Sequence, residues 1–204
     1  MSASKPYIIG LTGGIGTGKS EAAKFLASLG AVHLDADAVS HALTAPDGEA
    51  LAPIRAEFGD QVFHEDGTLD RQALADITFA DDERRRALEA ILHPRIQREL
   101  MRGIDRAAEE GAKIVILDVP LLFETGMDAL CDETWVLSTN TETQVARVMM
   151  RDHIDRERAE ARIRSQMPNE EREKLATQVI SSERPMEKTQ AELAALYQQT
   201  LKRL

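Results

Sequence analysis

Gly13-Gly14-Ile15-Gly16-Thr17-Gly18-Lys19-Ser20 is the stretch that decides the fold, and it spells G-x-x-x-x-G-K-[ST] directly after the apolar run Tyr7-Ile8-Ile9-Gly10-Leu11. The pattern predicts a strand over residues 7–12, a glycine-rich loop, and a helix over residues 18–29 that ends at Gly30. Such a loop turns its backbone N–H groups toward a phosphate, beside the positive end of the helix. The alternative is a turn that only connects a strand to a helix.

Two side chains of this loop carry the chemistry. Lys19 supplies a positive charge for the β- and γ-phosphate oxygens, and Ser20 supplies a hydroxyl for Mg²⁺. Glu21 follows in the first helical turn, where an acidic side chain is tolerated. The residues that we predict to bind the nucleotide are Gly14, Ile15, Gly16, Thr17, Gly18, Lys19, Ser20 and Glu21.

Composition limits the classes of function. The 204 residues carry a formal net charge of −10 and a single cysteine, Cys131. The acidic balance disfavours nucleic acid as a partner, and no apolar run approaches the ~20 residues that span a bilayer. One cysteine permits no internal disulfide, so we expect a soluble protein of a reducing cytoplasm. The length suits one α/β core with an insertion.

The order of apolar and polar segments predicts how the chain is organised. Further strands are predicted over residues 31–35, 113–118, 133–138 and 177–181, and helical spacing over residues 48–58, 70–77, 81–92, 94–110, 141–152 and 156–166. A short helix follows Pro168-Asn169, and a last helix starts near Pro185. We interpret residues 41–111 as an inserted helical subdomain that closes over a second substrate. Residues 1–40 and 112–204 form the nucleotide-binding core.

Carboxylates follow two of the predicted strands. Asp35 and Asp37 end the second strand, and Asp118 ends the third, which resembles a Walker B strand. In open α/β sheets ligands bind at this edge, where acids hold Mg²⁺ or orient an attacking hydroxyl. We therefore predict Asp35 and Asp118, with Ser20, as metal ligands. The alternative for Asp37 is that it only caps a helix over residues 38–43.

Arginines cluster in one segment of this acidic chain. Six of them fall between Arg147 and Arg164, among four acids. They lie on two predicted helices that a short charged turn joins. We predict a lid over residues 147–168 whose arginines reach phosphates on closure, and the alternative is a solvated helix face.

Taken together, the motifs resemble the dephospho-CoA kinase family over almost the whole chain. The residues that carry the resemblance are Leu11–Ser20, Asp35-Ala-Asp37, Gly67-Thr-Leu-Asp-Arg71, Phe79, Leu92-His-Pro94, Val119-Pro-Leu-Leu-Phe-Glu124, Arg147, Arg151-Asp152, Arg162-Ile163 and Gln166. The loop marks any P-loop kinase, but the combination in this order is specific. The resemblance implies an α/β P-loop NTPase fold, with a five-stranded parallel sheet flanked by helices, a helical acceptor-binding insertion and a helical lid.

The resemblance also implies a reaction and residue roles. ATP, with Mg²⁺, would donate its γ-phosphoryl group to the 3′-hydroxyl of dephospho-CoA, the last step of coenzyme A biosynthesis. Asp37 would orient or deprotonate that hydroxyl, Lys19 and Arg151 would act with it in catalysis, and Arg147 and Arg162 would bind ATP. The acceptor-binding positions are Asp35, His41, Phe79, His93, Pro120 and Leu121. The chain departs from the family at Ser182, where an Asn is usual, and at His41, where an Arg is common.

Two other functions compete with this reading. The loop and lid would equally serve another small-molecule kinase, such as a nucleoside monophosphate kinase. A GTPase-type switch expects an Asn-Lys-x-Asp motif, but the chain contains no Asn-Lys pair. We expect a monomer that binds ATP and dephospho-CoA, with a weak oligomer as the alternative.

Overall fold

The structure, a computed structural model, describes residues 5–204. It divides into two compact units: unit one combines the described residues up to Leu34 with Ile104–Leu204, and unit two is Asp35–Gly103. None of the helices in the described range is long and apolar enough to cross a membrane.

Five strands form one sheet, and they are β1 Tyr7–Thr12, β2 Val32–Asp35, β3 Ile114–Asp118, β4 Glu133–Ser138 and β5 Gln178–Ser181. Their order is β2-β3-β1-β4-β5, so β1 lies at the centre. β1 runs parallel to β3 and β4, and β4 runs parallel to β5. The predicted five-stranded parallel sheet is therefore confirmed, including its last strand, β5.

The helices are α1 Lys19–Ser28, α2 Ala36–Leu43, α3 Leu51–Phe58, α4 Arg71–Ala80, α5 Asp82–Glu109, α6 Thr141–Asp152, α7 Arg156–Arg164, α8 Asn169–Leu175 and α9 Met186–Arg203. Every residue of β3 and β4 is buried, as expected for parallel strands that helices cover on both faces. Leu26 of α1 and Leu193 of α9 pack in one cluster with Leu11 and Trp135 of the sheet. This packing fixes the start of α1 against the sheet.

Unit two is helical apart from a single bridge between Phe63 and Leu69. The bridge flanks Gly67, whose φ of +83° permits the tight turn between these two residues. Asp70 begins α4, because its carboxylate accepts the backbone N–H groups of Gln72 and Ala73 at 3.0 and 2.9 Å.

One predicted break does not exist. The sequence predicted two helices over residues 81–92 and 94–110, but α5 runs without interruption and contains Pro94 in its interior. A proline there removes one backbone hydrogen bond and crowds the preceding turn. The Arg95 side chain does not replace this bond, since its Nη1 donates to the carbonyl of Ile91 at 2.6 Å, whereas Pro94 has no N–H for the carbonyl of Ala90. The prediction was wrong because a helix of this length tolerates one missing bond.

Candidate active site

The phosphate-binding loop, residues 13–20, joins β1 to α1 at the carboxyl edge of the sheet. Gly16 and Gly18 have φ values of +80° and +87°, a left-handed conformation that only glycine adopts at little cost. Thr17 donates to the carbonyl of Gly14 through both its hydroxyl, at 2.8 Å, and its backbone N–H, at 3.2 Å. These bonds close the loop on itself before α1 begins.

Lys19 pairs with the acid at the end of β3. Its Nζ donates to Oδ1 of Asp118, and Nε2 of His33 lies 3.2 Å from Oδ2 of the same carboxylate. Asp118 is 2% exposed. Burial alone would raise the pKa of its carboxyl group, but the hydrogen bond from His33 and the charge of Lys19 hold that pKa below its ordinary value. Asp118 is therefore a charged group at neutral pH, and it orients the lysine of the loop.

His33 is a member of this cluster that the sequence analysis missed. It lies in β2, two residues before the end of that strand. Strand residues two apart share a face of the sheet, so His33 could have been assigned to the side chains that surround the strand ends. Its separation from Asp118 by 85 residues hid the contact itself.

Ser20 and Asp118 fit a magnesium ion by the chemistry of their donors. Hydroxyl and carboxylate oxygens are the ligands that Mg²⁺ prefers. Both oxygens of Asp118 already contact Lys19 or His33, so direct ligation by Asp118 would require one of these contacts to change.

Asp35, and not Asp37, caps α2. Its Oδ1 accepts the backbone N–H groups of Asp37 at 2.8 Å and of Ala38 at 3.3 Å. The helix starts at Ala36, two residues earlier than predicted. The alternative that Asp37 serves only as the cap is therefore wrong, because Asp37 lies inside the first turn with its side chain exposed.

Arg147 contacts two segments that follow strands. Its Nη1 donates to the carbonyl of Gly16 in the loop at 3.2 Å and to the Ser182 hydroxyl at 3.2 Å, and its Nη2 donates to the Ser182 carbonyl at 2.7 Å. Ser182, which the sequence analysis noted only as a departure, thus anchors the guanidinium of Arg147 directly after β5.

Arg151 and Arg162 share one carboxylate. Arg151 binds Asp152 through Nε at 2.7 Å and Nη2 at 3.0 Å, and Arg162 donates to the same side chain from α7. The hydrogen bonds from Arg151 and the charge of Arg162 lower the pKa of Asp152. Two cations around one anion leave a net positive cluster on the two helices that were predicted as the lid.

The other three arginines of this segment pair on the helix surface. Arg156 binds Glu142 and Glu160, and Arg164 also binds Glu160. Arg158 pairs with Asp155, which caps α7. These three match the solvated face that was weighed as the alternative. Arg151 and Arg162 are exposed as well, although they share Asp152, and of the six arginines Arg147 is the half-buried one.

Within unit two, His41 lies beside Arg71. Nη2 of Arg71 lies 3.4 Å from Nδ1 of His41 and donates to the Thr44 carbonyl at 3.2 Å. Phe79, on α4, is 93% exposed. His93 is a half-buried residue in the interior of α5. Unit two therefore carries a cationic group and an uncovered aromatic ring at predicted acceptor positions or next to them.

Comparison with known proteins decides the family. The family model described as dephospho-CoA kinase matches residues 7–187. The chain belongs to the dephospho-CoA kinase family. The dephospho-CoA kinase of Symbiobacterium thermophilum is 45% identical over 190 residues, which are 93% of this chain and 80% of the relative. That of Aromatoleum aromaticum is 44% identical over 201 residues, 96% of this chain and 91% of the relative.

A solved structure agrees. The crystal structure of TT1252 from Thermus thermophilus matches with a TM-score of 0.83 and 39% identity, covering 96% of this chain and 98% of that one. As a member of the dephospho-CoA kinase family, the chain is an ATP-dependent kinase with a P-loop fold. The family, the enzyme class and the fold that the sequence predicted are confirmed.

Two of the predicted acceptor positions of this family member lie in unit one, in the turn after β3. The carbonyl of Pro120 accepts the Thr12 hydroxyl at 3.0 Å, which ties the turn to the end of β1. Leu121 beside it is exposed. The hydrogen bond from Thr12 thus holds this turn beside the carboxyl ends of β1 and β3.

Proposed function

We propose that this chain transfers the γ-phosphoryl group of ATP to the 3′-hydroxyl of dephospho-CoA, the final step of coenzyme A biosynthesis. The observation that carries the proposal is the family match over residues 7–187, in a chain whose phosphate loop retains Lys19 and Ser20. A nucleoside monophosphate kinase is the alternative that the loop and lid alone leave open. The relatives named dephospho-CoA kinase favour the first reading.

The phosphate end of ATP would lie against the loop. The backbone N–H groups of Gly14, Gly16 and residues 18–20 would bind its phosphate oxygens, because those of Ile15 and Thr17 already have partners. Lys19 would exchange its contact with Asp118 for a contact with a phosphate oxygen. Ser20 and Asp118 would hold Mg²⁺, which when bound neutralises charge on the phosphates, and Asp35 is the remaining candidate ligand. Glu21 borders this group from the first turn of α1.

The lid arginines would act on the same nucleotide. Arg147 is fixed by Gly16 and Ser182, so its guanidinium face is available to stack against the adenine ring. Arg151 and Arg162 would contact the phosphates, and Asp152 keeps them together until then. A charge-assisted contact of this kind is strong because a guanidinium donates to two oxygens at once.

Asp37 would orient the hydroxyl of dephospho-CoA and receive its proton. Asp35 performs the capping of α2, so Asp37 is not required for that role. The uncovered ring of Phe79 offers an apolar contact for the acceptor, and Arg71, next to His41, offers a cation for one of its phosphates. His93, Pro120 and Leu121 complete the proposed acceptor positions.

One assay tests the reaction and the loop together. Purified protein is mixed with Mg-ATP and dephospho-CoA, coenzyme A is measured as the product, and AMP is offered as the acceptor in parallel. Lys19→Ala should lose about 10²-fold or more in kcat/KM, since removal of one preorganised charge contact costs roughly 3 kcal/mol. Lys24→Ala is the control, because Lys24 is an exposed residue of the same helix. If AMP is phosphorylated and dephospho-CoA is not, the proposed reaction is rejected in favour of a nucleoside monophosphate kinase.

A second comparison tests Asp37. Asp37→Asn should lower kcat by about 10²-fold or more and leave ATP binding nearly unchanged, since it removes a proton acceptor and keeps the shape. Asp82→Asn is the matched control, because Asp82 is also an exposed acid in a first helical turn. If the kcat of Asp37→Asn stays within a few fold of the parent, Asp37 has no catalytic role.

We also propose that the enzyme works as a monomer in the cytoplasm, with a weak oligomer as the alternative. The single cysteine supports a reducing compartment, because it permits no internal disulfide. Sedimentation at several concentrations, with and without ATP, would distinguish the two states, and fractionation of cells would test the compartment.

A further inference from the structure

Glutamine side chains hold both backbone polar groups of Ile15 in the phosphate loop. The N–H of Ile15 donates to Oε1 of Gln166 at 2.8 Å, and its carbonyl accepts from Nε2 of Gln144 at 2.8 Å. Gln144 belongs to α6, and Gln166 lies in the segment between α7 and α8. Gln144, just before the proposed lid at residues 147–168, and Gln166, near the end of that lid, therefore contact the same residue of the loop.

A hydrogen bond from Asn169 fixes the orientation of the Gln144 amide. Nδ2 of Asn169 donates to Oε1 of Gln144 at 2.9 Å and to the Thr139 carbonyl at 3.0 Å, and Gln144 is 2% exposed. Because its oxygen accepts from Asn169, its NH₂ group must face the carbonyl of Ile15. Gln144 is thus buried and hydrogen-bonded at both ends of its amide, whereas Gln166 is half-buried and lies just after α7.

The two hydrogen bonds to Ile15 fix the loop just before Gly16 and Gly18, its glycines of positive φ. Gly16 follows Ile15 directly, and its carbonyl accepts from Arg147. Fixing the backbone at these two positions sets the direction in which the following N–H groups point. A loop that is already in its binding conformation loses less free energy to ordering when the phosphates arrive.

We propose that Gln166 is a positioning residue for ATP: it holds the phosphate loop in its receiving conformation from the far end of the lid segment, through the N–H of Ile15. The inference rests on the proposed kinase function. Gln166 makes no direct contact with the reacting groups in this account, and it acts through the Ile15 backbone alone. Its effect should therefore appear in ATP binding and not in the chemical step.

The site permits a clean substitution. Gln166 borders a cavity of about 830 Å³ that also touches Gly14, Gln144 and Asn169. A change at Gln166 therefore alters a hydrogen bond at the cavity wall and not a packed core. Gln166→Met keeps the length of the side chain and removes the acceptor, and Gln166→Glu keeps an acceptor oxygen. Gln198→Met, at an exposed position on α9, is the control.

The measurements are hydrogen exchange of the Ile15 amide, ATP affinity by calorimetry, the kinetic constants and the urea midpoint. Gln166→Met should speed exchange of that amide at least about tenfold and weaken ATP binding about fivefold to tenfold, the effect of one lost neutral hydrogen bond. The KM for ATP should rise in parallel, while kcat and the KM for dephospho-CoA stay within about twofold of the parent. The urea midpoint should fall by no more than about 0.5 M, the change expected for one neutral hydrogen bond. Gln166→Glu should restore slow exchange.

Two outcomes overturn the proposal. Unchanged amide exchange and unchanged ATP affinity in Gln166→Met would show that the bond has no positioning role. A uniform loss of kcat, of binding of both substrates and of stability would assign Gln166 a structural role only. The calorimetric and exchange readouts use ATP alone, so they stand even if the parent enzyme fails to phosphorylate dephospho-CoA, a result that would reject the proposed reaction instead.

Discussion

Glu124→Gln should destabilise the protein, because it removes the negative charge that pairs with the buried guanidinium of Arg172. Arg172 is 1% exposed, and its Nη2 lies 3.3 Å from Oε1 of Glu124. Its Nη1 lies 3.4 Å from Oδ1 of Asn169, and its Nε has no hydrogen-bond partner among the described residues. The neutral Gln would still accept a weak hydrogen bond, but it would leave the charge of Arg172 uncompensated.

The size of the effect follows from the geometry. At 3.3 Å, and with an effective dielectric constant of about 20, the attraction between the two charges is about 5 kcal/mol. Removing one partner of a buried pair costs roughly 3–5 kcal/mol in measured cases. The Glu124 side chain is 25% exposed, so water recovers part of the loss and the lower limit applies. For a chain of this length, about 3 kcal/mol lowers the Tm by roughly 6–12 °C.

Urea unfolding and thermal melting at pH 7 measure this loss. Glu57→Gln is the control, because its ion pair with Arg84 is exposed and its loss should cost less than about 1 kcal/mol. Adding Arg172→Met to Glu124→Gln should recover stability relative to Glu124→Gln alone, since no unpaired charge remains. A free energy of unfolding for Glu124→Gln within about 0.5 kcal/mol of the parent would refute the reasoning.

Two further predictions concern Cys131. Gly10→Ala should lower the free energy of unfolding by about 1–3 kcal/mol in urea, because the new Cβ would lie 2.6 Å from the Cys131 Sγ and 2.9 Å from Leu122. Adding Cys131→Ala should recover part of this loss. If it recovers none, the clash with Cys131 is not the cause. Burial raises the pKa of Cys131 from 9.0 to about 12, so the stability it contributes is complete below about pH 9 and falls as the pH rises toward 12. The urea midpoint of Cys131→Ser should therefore fall less than that of the parent between pH 8 and 10, and equal falls would contradict the shift.

Sequence patterns predicted the elements whose causes are local. The loop motif and the apolar run of β3 depend on residues that are near each other in the chain, so spacing alone indicates them. α5 was misjudged for the opposite reason. The effect of Pro94 depends on whether the other hydrogen bonds of α5 offset the one lost bond, and the spacing of residue types does not indicate that balance.

In the candidate site, too, the sequence indicated the local motif and missed the contacts between distant segments. Lys19 and Ser20 were identified by their motif, but the partners that orient the loop come from distant segments: Gln144 and Gln166 reach Ile15 across 129 and 151 residues. Those contacts exist only because β4 pairs beside β1 and brings the following helices to the loop. The motif thus specifies what the loop can bind, whereas the sheet order determines which side chains hold it ready. A P-loop with every motif residue intact could therefore lose affinity for ATP through a change that lies entirely outside the motif.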